Sequence, residues 1–165
     1  MSKQVTFAYV WDQATAMKAS ELFYRYDLKH SPKRFLGWLF IAMAQFGVVG
    51  ALKHDAYGLL VLSTVFLIYW YYLRWIIRKR IALKYFRSSA AAGMTFKISI
   101  QKEGILQNDL LLSWDDIDTV VELEEGFLLY TKQAPLFFPG EAFGSDKVRQ
   151  HFRATVKSHT VFVKE

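Results

Sequence analysis

Two apolar stretches, residues 35–52 and 57–77, dominate the hydrophobic pattern of the chain and are separated by four residues. The first stretch has 18 residues without a charge, and the second has 17 before Arg74 interrupts it. As helices rising about 1.5 Å per residue, each uncharged run extends about 26 Å, close to the roughly 30 Å core of a bilayer. The pattern predicts a two-helix transmembrane hairpin. The alternative is a pair of buried helices in a water-soluble protein, which seldom has two consecutive helices that are apolar on all sides.

Basic residues are concentrated at the two outer ends of this predicted hairpin. Nine lysines and arginines lie in residues 29–34 and 74–87, whereas the connecting loop has only Lys53. The positive-inside rule therefore places both termini in the cytoplasm, and aromatic residues at the same ends agree with an interfacial belt. We expect five of the basic side chains to contact anionic lipid headgroups of the inner leaflet. They are Arg74, Arg78, Lys79, Arg80 and Lys84.

A few small and polar residues interrupt the apolar runs. In an antiparallel hairpin that turns near residue 54, Gln45 and Ser63 lie at the same depth. A hydrogen bond between them would contribute about 0.6 kcal/mol on average. Gly47 and Ala51, four residues apart, allow close approach of the two helices. We interpret all four residues as intramembrane packing positions, with contact to another membrane protein as the alternative.

Outside the hairpin, the hydrophobic period changes to that of strands. Alternation over residues 4–11 predicts a strand, and Asp12 then caps a helix that extends to about residue 28. From residue 94, short alternating segments separated by turns predict an antiparallel sheet, and a helix capped by Ser145 follows at residues 146–158. The predicted strands are residues 95–101, 104–107, 110–113, 119–122, 127–131 and 135–138. The strand at residues 4–11 can add a seventh and so join the two ends of the chain.

These patterns divide the chain into four parts. They are a cytoplasmic strand and helix (residues 1–34), the transmembrane hairpin (35–77), a basic helical extension with a linker (78–93) and a cytoplasmic α+β domain (94–165). The net charge is +6 over residues 74–92 but −3 over residues 93–165. Because the basic excess flanks a span and does not line a groove, it favours membrane lipids and argues against nucleic acid as a partner.

Chemically reactive groups are sparse. Cysteine is absent, and the four histidines have no zinc-ligand spacing. The acidic residues between 115 and 125 lack the ligand pattern of a calcium loop, and we interpret them as solvated turns in which Asp115 and Asp116 cap a short helical turn. The sequence thus predicts no catalytic residue, no cofactor and no metal site, and the protein is not expected to be an enzyme.

Four segments of the tail carry a resemblance to a known family. They are Gly104-Ile105, Ser113-Trp114-Asp115-Asp116-Ile117, Gly126-Phe127-Leu128-Leu129-Tyr130, and Phe137-Phe138-Pro139 leading to Phe143. Together with the strand, helix and two-span order before them, they resemble the YcxB-like family of bacterial membrane proteins. The resemblance implies a small pleckstrin-homology-like domain of antiparallel strands with a C-terminal helix, at the bacterial inner membrane, and it implies no particular activity.

Three functional hypotheses are compatible with these features. The first is a non-enzymatic inner-membrane protein, an accessory or regulatory subunit that binds a protein partner through its hairpin and cytoplasmic domain. The second is an immunity-type protein that neutralises a membrane-acting toxin. The third, a membrane enzyme or transporter, ranks last because residues 35–52 and 57–73 contain no acidic, basic or histidine side chain that could line a pathway.

Overall fold

The computed structural model describes residues 5–165, apart from the side chains of residues 33, 34 and 36. Within these residues the chain is α+β. The helices are α1 (Gln13–His30), α2 (Lys33–Lys53), α3 (Tyr57–Ile68), α4 (Arg74–Ser88) and α5 (Asp146–His159). The strands are β1 (Val5–Val10), β2 (Thr95–Ile100), β3 (Gly104–Gln107), β4 (Leu110–Ser113), β5 (Ile117–Leu123), β6 (Gly126–Thr131), β7 (Leu136–Pro139) and β8 (Val161–Lys164).

The chain divides into two compact units. The first, which we call the sheet unit, combines the residues up to Ala19 with Ser89–Glu165. The second, the helical unit, is Ser20–Ser88. The N-terminal strand therefore belongs to the same unit as the tail, although the helical unit separates them in sequence.

The first sheet of the sheet unit has the strand order β1-β2-β3-β4 and is antiparallel throughout. Strand β1 pairs with β2 along its whole length, from Val5 opposite Ile100 to Val10 opposite Thr95. This pairing confirms the prediction that the N-terminal strand joins the tail. The predicted start of that strand, Gln4, lies outside the described residues.

The second sheet has the order β7-β6-β5-β8. Its first three strands form the predicted antiparallel meander, whereas β8 runs parallel to β5. Strand β8 was not predicted from the sequence. Its four residues carry too short an alternation to identify, and α5 supplies the crossover that a parallel pair requires.

Aromatic side chains from both sheets and α5 form the core of the sheet unit. On β1 the alternation is regular, with Val5, Phe7 and Tyr9 buried and the residues between them exposed. Phe7 lies 4.4 Å from Phe143 and 5.5 Å from Phe138, measured between ring centroids. Burial of Tyr9 raises the pKa of its phenol well above the ordinary value. The strand that precedes the helical unit is thus an integral part of this core.

Local signals fix the ends of several elements. The carboxylate of Asp12 accepts a hydrogen bond from the backbone N–H of Thr15 at 2.7 Å, and the hydroxyl of Ser145 accepts one from Val148, so both predicted caps are confirmed. The predicted helical turn is the 3-10 turn Trp114–Asp116. Its cap is Ser113, which accepts from the N–H of Asp115, so the assignment of capping to the two aspartates was wrong. A capping side chain accepts from an N–H two or three residues further along, so the residue just before the turn, Ser113, caps it and the aspartates within it do not.

In the helical unit, α2 packs against α3 in the antiparallel sense. The residue pairs Gly37 with Trp70, Phe40 with Phe66, and Gly47 with Ser63 are in contact, so residue numbers rise along one helix as they fall along the other. The Phe40 and Phe66 rings meet edge to face with centroids 5.3 Å apart. The chain reverses between Lys53 and Tyr57, as predicted from the charged break.

The π-helical turn Tyr69–Leu73 joins α3 and α4 into one continuous helix, Tyr57–Ser88. Among the described residues, this is the one helix long and apolar enough to cross a membrane. Among the described residues, the apolar part of α2 is the shorter segment Gly37–Lys53. The structure therefore shows one candidate span, judged by length and composition, and the second span of the expected pair stays a prediction.

Candidate functional site

The helical unit has an inverted distribution of side chains. Large apolar residues point outward, for example Phe35, Phe46 and Tyr57, which are 76%, 77% and 73% exposed. In the most apolar window of Tyr57–Ser88, only 6% of the residues are buried. The helix–helix seam contains small or polar residues such as Gly37 and Ser63. Exposed apolar patches of this extent mark a surface that contacts lipid or protein, and small residues at a seam are typical of helices that pack within lipid.

The predicted packing residues separate into two groups. Gly47 and Ala51 lie on the side of α2 that faces α3, and Ala51 is 2% exposed. Ser63 is buried next to Gly47, where an added Cβ would collide with the Ser63 hydroxyl. Gln45 is exposed and does not share this seam. A helix advances about 100° per residue, so Gln45 and Gly47, two residues apart, face different sides of α2. Gly47 therefore lies next to Ser63, and Gln45 does not.

Two of the predicted headgroup residues, Arg74 and Arg78, meet an aromatic side chain of α1. The guanidinium of Arg78 lies 3.9 Å from the centre of the Tyr24 ring, and that of Arg74 lies 5.2 Å from it. The Arg74 guanidinium also lies 4.5 Å from the Trp70 ring. These distances are typical of cation–π contacts. We call this cluster of Tyr24, Trp70, Arg74 and Arg78 the Tyr24 cluster.

A cavity of about 550 Å³ opens beside the Tyr24 cluster. Its walls come from the C-terminal half of α1 and the start of α4. The lining residues are Tyr24, Asp27, Leu28, His30, Ser31, Arg74 and Arg78. The four-residue spacing of Arg74 and Arg78 was visible in the sequence, but the sequence did not indicate Tyr24 as their partner, because it belongs to a different helix.

The other predicted headgroup residues lie elsewhere on α4. Arg80 and Lys84 line a separate cavity of about 430 Å³ together with Arg87. Lys79 is exposed. The five residues were predicted as one group, and the structure places them on different faces of the helix. Only Arg74 and Arg78 among them contact an aromatic ring in the part of the chain that the structure describes.

In the sheet unit, Glu122 forms an ion-pair cluster with two arginines of α5. Glu122 is 3% exposed, and both of its carboxylate oxygens accept hydrogen bonds from Arg153, one of them at 2.7 Å from Nε. The Nε of Arg149 lies 3.4 Å from the same carboxylate. The Nη2 of Arg149 donates a hydrogen bond of 2.9 Å to the carbonyl oxygen of Leu123. The cluster joins α5 to the second sheet beside a cavity of about 470 Å³.

Burial by itself raises the pKa of the Glu122 carboxyl. The hydrogen bond and charge of Arg153, with the charges of Arg149 and Lys164, outweigh this effect and hold the pKa below its ordinary value. From the sequence, Glu122 was predicted to belong to a solvated acidic stretch, and for this residue that prediction was wrong. The partners lie 27 and 31 positions further along the chain, on a helix whose docking the local sequence does not encode.

Within the residues that the structure describes, no group of three or more histidine, aspartate or glutamate side chains is arranged to hold a metal ion. No family model matches the chain, and comparisons with curated proteins and solved structures give no significant match.

Proposed function

We propose that this protein is a non-enzymatic protein of the bacterial inner membrane. Its helical unit anchors it in the bilayer as a two-span hairpin, and its α+β sheet unit binds a protein partner on the cytoplasmic side as an accessory or regulatory subunit. The observation that carries the proposal is the inverted burial of the helical unit, with large apolar side chains outside and small ones along the seam. Exposing such an apolar surface to water costs free energy, whereas contact with lipid tails does not.

The inverted pattern supports membrane insertion of α2 as well as α3. Phe46, Val49 and Leu52 of α2 are all more than 60% exposed, as are Val61 and Tyr57 of α3. Both helices thus present apolar side chains away from their common seam. The charge flanks support the direction, because the basic residues gather at the ends of the helical unit away from the Lys53–Tyr57 connection.

The order of elements supports the likeness to a pleckstrin-homology-type domain and the YcxB-like resemblance. A four-stranded antiparallel sheet is followed by the three-stranded meander β5–β6–β7 and then by helix α5. In this proposal the first strand of the domain is β1, and the membrane hairpin is inserted between β1 and β2.

Strand β4 supports a protein as the partner. It is an edge of the first sheet, and its residues Leu110 and Leu111 are 68% and 44% exposed. Unpaired backbone groups beside exposed leucines suit the addition of an extended segment from another protein. The occupant we propose for this edge is a strand of the partner.

Topology can be tested directly because the chain contains no cysteine. Single variants His54→Cys and Ser158→Cys would be labelled in intact cells with a membrane-impermeant maleimide. We expect His54→Cys to react from outside and Ser158→Cys to react only after lysis, with the protein retained in membranes washed at alkaline pH. Release by that wash, or labelling of both positions from the same side, would contradict the proposal.

Partner binding can be tested with a charge at the sheet edge. Purification of the full chain in mild detergent after crosslinking would show the bound proteins. We expect Leu111→Lys to lose a protein that the wild type and the edge-distant variant Gln150→Lys both retain. A chain that is monomeric and partnerless in native membranes would refute the proposed role as an accessory or regulatory subunit.

A further inference from the structure

We infer that the Tyr24 cluster is a binding site for the phosphodiester group of an anionic phospholipid. This inference rests on the proposed membrane anchoring and deepens it. It replaces a diffuse attraction between five basic residues and the bilayer with one site made by two arginines, Arg74 and Arg78, held on the ring of Tyr24.

The contact with the Tyr24 ring does not occupy the N–H donors of the two guanidinium groups. A guanidinium whose carbon lies over an aromatic ring keeps its N–H groups directed outward in its own plane, where they can form paired bonds to phosphate oxygens. The Nε of Arg78 is shielded from solvent and has no hydrogen-bond partner among the described residues. Neither Arg74 nor Arg78 forms an ion pair with any residue that the structure describes. A buried donor of this kind is stabilised by an acceptor from a ligand.

The local charge matches a phosphodiester. Arg74 and Arg78 are one helical turn apart, so their positive charges repel each other until an anion lies between them. Asp27 also lines the cavity, so its carboxylate and the two arginines together carry a formal net charge of +1. That charge balances the single negative charge of a phosphodiester. The cavity of about 550 Å³ leaves room for a headgroup beyond the phosphate itself.

The position along the helix fits a lipid headgroup. From Tyr57 to Leu73 the helix has 17 uncharged residues, about 26 Å, so Arg74 lies where the opposite headgroup layer begins. The π-helical turn Tyr69–Leu73 immediately precedes it, and such widened turns are frequent at functional sites. The arginines are thus at the depth of lipid phosphates when the helix spans the bilayer.

The test uses the full-length chain in nanodiscs of phosphatidylcholine with increasing phosphatidylglycerol, and native mass spectrometry to count the anionic lipids bound. We expect the double variant Arg74→Gln/Arg78→Gln to weaken phosphatidylglycerol binding about tenfold or more. The charge-matched variant Lys79→Gln/Arg80→Gln, on exposed positions of the same helix, should weaken it less than about threefold. Equal losses in the two double variants would overturn the inference in favour of diffuse attraction.

The aromatic ring provides a second, less disruptive comparison. Tyr24→Phe keeps the ring and should bind phosphatidylglycerol like the wild type, whereas Tyr24→Leu removes the stacking surface and should weaken binding. Arg78→Lys keeps the charge but loses the planar donors, and should also bind more weakly. Unchanged binding in Tyr24→Leu and Arg78→Lys would overturn the inference even if the double variant failed to fold.

Competition with soluble phosphates distinguishes a lipid ligand from a free one. Inorganic phosphate and glycerol 3-phosphate are added to the phosphatidylglycerol complex. If either displaces the lipid at a concentration comparable to that of the phosphatidylglycerol, the site binds a soluble phosphate, and the inference of a lipid ligand is overturned. Retention in membranes at alkaline pH tests the anchoring separately. A chain that is washed off contradicts the proposed function, whereas a retained chain with unselective lipid binding contradicts this inference alone.

Discussion

Replacing Glu122 with glutamine tests the ion-pair cluster of the sheet unit. The substitution keeps the shape of the side chain but removes the charge that Arg153 and Arg149 share. Breaking a fully buried pair costs about 3–5 kcal/mol, because the remaining charge loses its partner. Here Glu122 is 3% exposed, but the side chains of Arg149 and Arg153 are 24% and 29% exposed and keep some hydration. We therefore expect a loss of about 2–3 kcal/mol of unfolding free energy.

Hydrogen exchange of the full-length protein, measured by mass spectrometry in detergent, reports this loss separately for the segments β5 and α5. A change of about 2–3 kcal/mol raises the exchange rate of their slowest amides about 30- to 150-fold. The matched control is Glu124→Gln, the same change at an exposed turn two residues away, where we expect about twofold or less. Glu122→Gln rates within about twofold of wild type would refute a stabilising role of the cluster.

The stability difference between the wild type and Glu122→Gln should depend on pH in a defined way. The folded-state pKa of Glu122 lies below its ordinary value of 4.5, so the contribution of its charge is complete above about that pH. It is lost as the pH falls through the lower, folded-state pKa. The stability difference between wild type and Glu122→Gln should therefore be constant from pH 7 to pH 5 and narrow below 4.5. A difference that widens on acidification would show that the sign of the pKa shift is wrong.

Three further tests concern packing and helix register. Gly47→Leu should destabilise the helical unit to heat in detergent by about 1–3 kcal/mol, whereas Gly50→Leu, with nothing within 4 Å of its Cβ, should change it by less than about 0.5 kcal/mol, and equal effects would contradict the seam. Gly104→Ala places a methyl group against a backbone carbonyl of β4 and should speed hydrogen exchange in β3 and β4 at least tenfold, so an unchanged rate would contradict that contact. Inserting one alanine between Leu73 and Arg74 rotates the later side chains by about 100°, so phosphatidylglycerol binding should fall while helical circular dichroism is kept, and retained binding would show that the orientation of the arginines is not needed for binding.

Much of the secondary structure followed from the sequence because its signals are local. The caps at Asp12 and Ser145, the turn at Asn108 with its positive φ of 52°, and the strands β3 and β4 all depend on residues within one element. The predicted helix and strand ends elsewhere differ from the structure by a few residues. Side-chain period and turn residues act on the backbone directly, so they can be read without knowing the fold.

The candidate sites depended on contacts between elements. Tyr24 reaches Arg74 and Arg78 from a helix about fifty positions earlier, and Glu122 of β5 is paired with Arg153 of α5. Strand β8 was missed for the same reason, since its parallel pairing with β5 depends on the crossover through α5. A local sequence pattern shows whether a position is apolar or charged, but it does not predict which side chain from a distant part of the chain will contact it.

The sequence alone therefore determined the apolar runs, the charge at their ends and the strands and helices on either side. Tertiary structure decided that β1 completes the sheet of the tail, that Ser63 meets Gly47 and not Gln45, and that two of five basic residues gather on one aromatic ring. The physical reason is the same in each case. Hydrophobicity and local hydrogen bonding fix each element by itself, whereas a site arises from the angle and register at which elements pack, which the whole chain sets together.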